Sequence, residues 1–239
     1  MQKINKKAFT LAEVLITIGI IGVVAAMTIP VLMNKYREAV FVNRLKDTYS
    51  IFSQAYKLAV AEHGDPDGWD IGTSATKEGA IKVYEYFKPF LKQAEECGGE
   101  FGCFANSYQT FTGVEYGYPP REHTLYTRGL LLNGVAFAFS SSGSGCPYDE
   151  IRAMEKCAVL YVDLNAYDPP NQAGVDYFGF LITPNGVKPM GYIGDNGGGN
   201  GYTCIYGATN NGNGTGCSAY VLAKGNMDYL RHDISNIWK

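Results

Sequence analysis

Lys6-Lys7-Ala8-Phe9-Thr10-Leu11-Ala12-Glu13 leads into a run from Val14 to Asn34 without a single charged side chain. A transmembrane helix takes about 20 mostly apolar residues. Val14 to Met33 supplies that length, with Thr17 and Thr28 as its weakly polar members. Glu13 is the anomaly: a charge costs about 2.5–3.5 kcal/mol at the centre of a bilayer on insertion scales and less near the interface, so an acid at the head of the span marks function and needs a partner. Lysines at the extreme N-terminus and none again until Lys35 give an orientation with the N-terminus in the cytoplasm and everything after the span outside it.

Three plainer readings compete. A secretory signal also has a basic start, an apolar core and a small-residue cleavage site, for which Val24-Ala25-Ala26 would serve. A charged Glu13 fits such a peptide poorly, and the helical pattern continues past Ala26. A simple single-pass anchor explains the apolar length but not the order Phe-Thr-Leu-x-Glu. A core helix of a soluble protein would show one apolar stripe, whereas this run is apolar on every face.

Two lysines and a small residue, followed by Phe9-Thr10-Leu11-Ala12-Glu13 and an apolar helix, resemble the N-terminus of type IV pilins and type II secretion pseudopilins. The resemblance implies that a prepilin peptidase cuts between Ala8 and Phe9 and that the new amine of Phe9 is methylated. Glu13 then stands fifth in the mature chain and Pro30 twenty-second, where the family has its assembly acid and a helix-loosening proline. Ala8 departs from the usual glycine and Ala12 from the usual isoleucine. The function implied is a subunit polymerised through its N-terminal helix into a type IV pilus or a type II secretion pseudopilus. Its partners would be other pilin-like subunits in a homo- or hetero-polymer, the peptidase and an inner-membrane assembly platform. It would reside in the inner membrane as a single-pass protein before assembly, then in a periplasmic or cell-surface filament. The alternative is an uncleaved, membrane-anchored extracytoplasmic binding module, expected as an uncut monomer.

The segments expected are a basic leader at 1–8, a membrane or filament-core helix at 9–34, its amphipathic continuation at 35–63 and an extracytoplasmic domain at 64–239. One helix from Phe9 to about His63 would reach roughly 80 Å at 1.5 Å per residue, with loosening at Pro30. Beyond Pro30, Val42, Leu45, Tyr49, Phe52, Tyr56 and Ala59 recur at spacings of three and four, one apolar stripe. Asp65-Pro66-Asp67-Gly68 breaks the helix. A second helix is expected around Lys77–Gln93. Strands at Leu125–Leu132 and Val135–Ser140 flank Asn133-Gly134, a hairpin signal. Ala158–Leu164, Tyr177–Thr183 and Val187–Met190 complete an antiparallel sheet of about four or five strands. The fold class is α+β, a long N-terminal helix packed on that sheet with disulfide-stapled loops.

All six cysteines follow the span, in a compartment where disulfides persist. Their grouping favours Cys97–Cys103, Cys146–Cys157 and Cys204–Cys217, although six cysteines allow 15 pairings. Zinc is the alternative, without a Cys-x2-Cys pair or a suitably spaced histidine to support it. The glycine- and asparagine-rich stretch from Gly191 to Gly216 reads as a surface loop held by Cys204–Cys217, either a recognition surface or a tolerated insertion.

Asp163, Asn165, Asp168, Asn171 and Asp176 form an oxygen-rich cluster between two strands, and calcium takes six to eight oxygen ligands. The EF-hand template fails, because Tyr167 occupies its third ligand position and Asp168 its glycine. Turn formation is the plainer role, no other metal or cofactor being expected. Walker-type, Gly-x-Ser-x-Gly and His-Glu-x-x-His motifs are absent, and His63, His123 and His232 stand apart from one another. The chain therefore does not read as an enzyme. Losing Lys3, Lys6 and Lys7 would take the formal net charge from −3 to −6, which offers no basic nucleic-acid footprint. Asn213-Gly214-Thr215 has the glycosylation pattern.

Overall fold

The computed structural model describes residues 10–98, 102–117, 119–120, 125–150, 154–191 and 203–234. Two compact units divide the chain, Met1–Val40 and Phe41–Lys239. Helix α1, Leu11–His63, contributes to both and contains Pro30 without interruption. In the second unit, Val42, Leu45, Phe52, Tyr56 and Ala59 are buried, joined by Thr48 and Ala55. Thr48 is tolerated on this face because its hydroxyl donates to the Arg44 carbonyl at 2.7 Å. Tyr49 is half-buried, its ring stacked 5.8 Å from Phe180.

Helix α2 spans Lys77–Phe87, and the Thr76 hydroxyl accepts from Gly79 N at 3.0 Å as its N-cap. Sequence periodicity extends this helix to Gln93, but it stops at Phe87. Pro89 cannot donate to the preceding turn, and Lys88–Phe90 tightens into a 3-10 turn instead. Gly79 packs so closely that an added Cβ would sit 2.6 Å from Thr73 O, 2.8 Å from Ser141 Cβ and 2.9 Å from Ile71 O. Thr76→Ala removes the cap and is expected to cost about 1 kcal/mol. A lower urea midpoint with an unchanged slope checks it, and an unchanged midpoint contradicts it.

The strands are β1 Gln93–Gly98, β2 Gln109–Thr110, β3 Thr127–Leu131, β4 Ala136–Ser141, β5 Tyr148–Asp149, β6 Met154–Glu155, β7 Ala158–Asp163, β8 Gln172–Ala173, β9 Tyr177–Thr183 and β10 Gly186–Pro189. The main sheet runs β1-β3-β4-β7-β9, and the outer side of β9 is shared. There β10 pairs antiparallel with Phe180–Thr183, while β8 pairs parallel at Tyr177 and carries β2, also parallel. The antiparallel meander β3, β4, β7, β9 and β10 is the part legible from alternation. β1 joins it with two register shifts, and β2 and β8 are too short to leave any alternation. β5 and β6 pair apart from this sheet.

The hairpin turns differ slightly from their sequence reading. Leu131 N donates to Val135 O at 2.8 Å, so the first turn holds three residues, Leu132-Asn133-Gly134, and Gly134 takes a φ of 82°. The second holds Pro184 and Asn185, with Gly186 already opposite Thr183 in β10.

Side chains alternate across the sheet. Phe137, Phe139, Leu160, Val162, Phe178, Phe180 and Ile182 line the core shared with α1 and α2. Phe52 sits 5.6 Å from Phe137 and 5.9 Å from Phe139, and Phe87 lies 4.8 Å from Phe139. Burying a ring of this size contributes about 1.5–3 kcal/mol. The opposite face presents Tyr161, Tyr177 and Leu181, packed with Phe104, Tyr108, Tyr116 and Tyr126. With both faces covered, all of Tyr177–Thr183 is buried.

Of the glycine- and asparagine-rich stretch, 192–202 lie outside the described residues and 205–207 are exposed as expected, but the chain from 212 to 221 is buried. Asn213, Thr215 and Ser218 are fully buried. Asn213 Oδ1 accepts from Ile205 N at 3.0 Å and Thr203 Oγ1 at 3.0 Å, and its Nδ2 donates to Ile205 O at 2.9 Å. Gly214, at φ 115°, passes against the Ala173 backbone where no Cβ would fit. Helix α3, Ser218–Lys224, ends on Gly225 at φ 69°, whose N–H donates to Val221 O at 2.8 Å. Tyr229 then packs its ring 5.5 Å from both Phe111 and Tyr220. Ile237, Trp238 and the glycine run at 197–199 lie outside the described residues.

Candidate functional site

The first unit offers an apolar helix surface and one acid. Large apolar residues from Leu11 to Met33 are exposed on all sides of α1, including Leu11 at 79% and Met27 at 70%. The helix is long and apolar enough to cross a membrane. Its two hydroxyls are satisfied within the helix, Thr17 donating to Val14 O at 2.8 Å and Thr28 to Val24 O at 2.9 Å. Nothing lies within 4 Å of a Cβ built on Gly19 or Gly22, so the backbone is open to close approach there.

Glu13 caps this helix. Its Oε2 accepts from Thr10 N and from Thr10 Oγ1, both at 2.8 Å, while Glu13 N donates to Thr10 Oγ1 at 3.2 Å. The reciprocal pair is a capping box, which satisfies two terminal donors and sets the carboxylate at the positive end of the helix dipole. Thr10-x-x-Glu13 is a legible signature of this device. Reading Glu13 only as an acid awaiting an outside partner passes over it. Ala8 and Phe9 lie outside the described residues, as does His123.

In the second unit the structure brings together only part of the predicted oxygen cluster. Asp163, at the end of β7, and Asp176, just before β9, are fully buried, whereas Asp168 is exposed. Asp163 Oδ1 accepts from Asn165 N at 3.0 Å, and its Oδ2 accepts from the Tyr108 hydroxyl. Asp176 accepts from Asn171 N at 2.8 Å and Gln172 N at 2.6 Å, one on each oxygen. Asn165 Nδ2 donates to Asp168 O at 2.6 Å, while Asn165 Oδ1 and Asn171 Oδ1 are buried without a hydrogen-bond partner. All four carboxylate oxygens of the buried pair thus already have protein donors, an arrangement suited to holding loops together. Burial raises the Asp176 carboxyl to about 6 against its three backbone hydrogen bonds. Burial first, and the neighbouring Asp176 second, push Asp163 well above the usual carboxylate range. The Tyr108 phenol is raised by burial and by Asp163. Tyr108 carries no local sign of this role, because its partner lies 55 residues away.

The disulfides are Cys97–Cys103, Cys146–Cys157 and Cys204–Cys217, which leaves no thiolate among them for zinc. Asn213 of the glycosylation pattern is buried and fully engaged, so it is not presented as an acceptor. His63 packs edge-on to Tyr86 at 5.1 Å.

Residues 3–29 match the family described as "Prokaryotic N-terminal methylation motif". Residues 31–98 match a "Family of unknown function (DUF6613)". The "Prepilin peptidase-dependent protein D" of Escherichia coli (strain K12) is 35% identical over 70 residues, covering 29% of this chain and 47% of that protein. The chain thus spans about half the length of that curated relative. No solved structure matches. The N-terminus therefore carries a match to a prokaryotic N-terminal methylation motif, and part of the chain is similar to a prepilin peptidase-dependent protein. In this chain that segment heads an α+β protein with three disulfides.

Proposed function

We propose that the chain is a prepilin-like subunit, cut between Ala8 and Phe9, methylated on Phe9 and polymerised through α1 into a type IV pilus or a type II secretion pseudopilus. The observation that carries this reading is the Thr10–Glu13 cap at the head of a helix whose apolar surface is uncovered on every side. Such a surface has two stable environments, lipid before assembly and the helices of neighbouring copies afterwards. Glu13 exchanges partners between them: Thr10 satisfies it in the isolated helix, and the Phe9 amine of an adjacent subunit meets it in the polymer. That exchange offsets the cost of burying both charges only when the geometry is close. The role is structural rather than enzymatic and requires no cofactor. The other partners in this reading are the prepilin peptidase and an inner-membrane assembly platform. The subunit enters the membrane with its N-terminus in the cytoplasm and leaves it for a periplasmic or surface filament.

Intact-mass measurement of the native protein tests the processing step. The expected species begins at Phe9 and carries one added methyl group. A functional protein that retains Lys6 and Lys7 contradicts it and favours an uncleaved anchor.

A further inference from the structure

An open polymer requires a heterologous interface, in which two different patches of one subunit are complementary and the contact repeats without closing. Two such patches stand on this chain. In the first unit, Lys35, Tyr36 and Arg37 follow directly on the apolar run and are all exposed, Tyr36 at 64%. Neither Lys35 nor Arg37 enters an ion pair among the described residues. In the second unit, Leu58 is 51% exposed one turn before the exposed Glu62, and the turn that ends α1 adds exposed Asp65 and Asp67 around buried Pro66. Asp65 and Asp67 likewise enter no ion pair among the described residues, whereas the nearby Asp70 is engaged by Lys82 at 3.0 Å. The first patch is mainly basic, with Lys35 and Arg37 against Glu38, and the second mainly acidic, with Glu62, Asp65 and Asp67 against Lys57, so their net signs are opposite.

We propose that the Lys35-Tyr36-Arg37 collar of one copy docks on the Leu58–Asp67 patch of the next copy along the polymer. Tyr36 covers Leu58, and the two cations meet Glu62, Asp65 and Asp67. The inference rests on the filament reading and identifies where one copy meets the next outside the apolar helices. Charge complementarity of this kind fixes register and excludes wrong partners more than it adds raw affinity. The collar therefore sets the axial offset between copies, and the apolar segment supplies the adhesion.

Polymer recovered from cells producing the full chain tests the contact, with peptidase processing measured alongside. The double reversals K35E/R37E and D65K/D67K are each expected to lower polymer yield by about tenfold or more through like-charge repulsion. Processing at Phe9 should stay normal in both. Combining all four substitutions restores the attraction and is expected to recover most of the yield. In an otherwise unchanged chain, R37C with D65C should cross-link adjacent copies into ladders, and neither cysteine alone should do so. Full yield from both reversals with no ladder overturns the contact and leaves the filament reading standing. Absence of polymer from the unmodified chain overturns both.

Discussion

Glu13→Ala is expected to insert into the membrane and be processed at Phe9, yet to yield no polymer. The prediction follows from two different environments of one carboxylate. In the isolated subunit the acid sits at the first turn of α1, where Thr10 N and Oγ1 hold it at 2.8 Å. Alanine loses those two contacts but keeps its own N–H on Thr10 Oγ1, a small penalty for a 53-residue helix. Alanine also removes a charge from the head of the span, so insertion becomes easier. In the polymer the balance reverses. The Phe9 amine of the adjacent copy, buried among apolar helices, would have no counter-charge, and removing one partner of a buried pair costs about 3–5 kcal/mol. That penalty recurs at every subunit, so elongation fails. Membrane fractionation, N-terminal mass and recovery of sheared filaments separate the three steps. Normal filaments from this variant would remove the proposed exchange of partners.

Lowering the pH from 8 to 5 makes the second unit more stable, opposite to the usual behaviour of a domain held by salt-bridged acids. Asp176 and Asp163 both have carboxyl pKa values raised by burial. A carboxyl whose folded value lies above its unfolded one favours the protonated folded state. Its stabilisation is complete below the unfolded value near 3.8 and is lost as pH rises through the folded value, about 6 for Asp176. That shift corresponds to about 3 kcal/mol lost between pH 4 and pH 7. Asp163 adds a further loss of the same sign, with burial as its main cause. Asp163→Asn keeps an oxygen for Asn165 N, turns the Tyr108 hydroxyl from donor to acceptor, and removes the charge that faces Asp176. This variant should therefore be more stable than the parent at pH 8 and show a flatter profile. Urea midpoints at pH 5, 7 and 8 check both statements. A parent protein that gains stability up to pH 8, or an asparagine variant with the parent's slope, contradicts them.

The readable parts of this chain are those whose signal is local. The stripe Val42, Leu45, Phe52, Tyr56 and Ala59 turned to the core because a 3.6-residue period places those positions on one face whatever they pack against. Strands β4, β7 and β9 announced themselves as apolar runs bounded by turns. Two-residue strands carry no period, and so β2 and β8 were invisible. The glycine and asparagine content around 203–216 argued for a solvent-facing loop, yet Asn213 is buried. Its amide replaces water with the backbone of Ile205 and the hydroxyl of Thr203, and glycines 174 and 214 let two backbones touch.

At the N-terminus, order along the chain was sufficient to specify the chemistry. An acid three places after a threonine caps a helix through contacts that span a single turn, and an unbroken apolar run needs lipid or like helices on any fold. The buried acids came together only because β7 ends with Asp163 opposite Tyr177, the residue after Asp176, beneath a layer that includes Tyr108. Desolvation depends on everything packed around a group, and that surrounding shell is drawn from distant stretches of the chain. No reading of adjacent residues contains it.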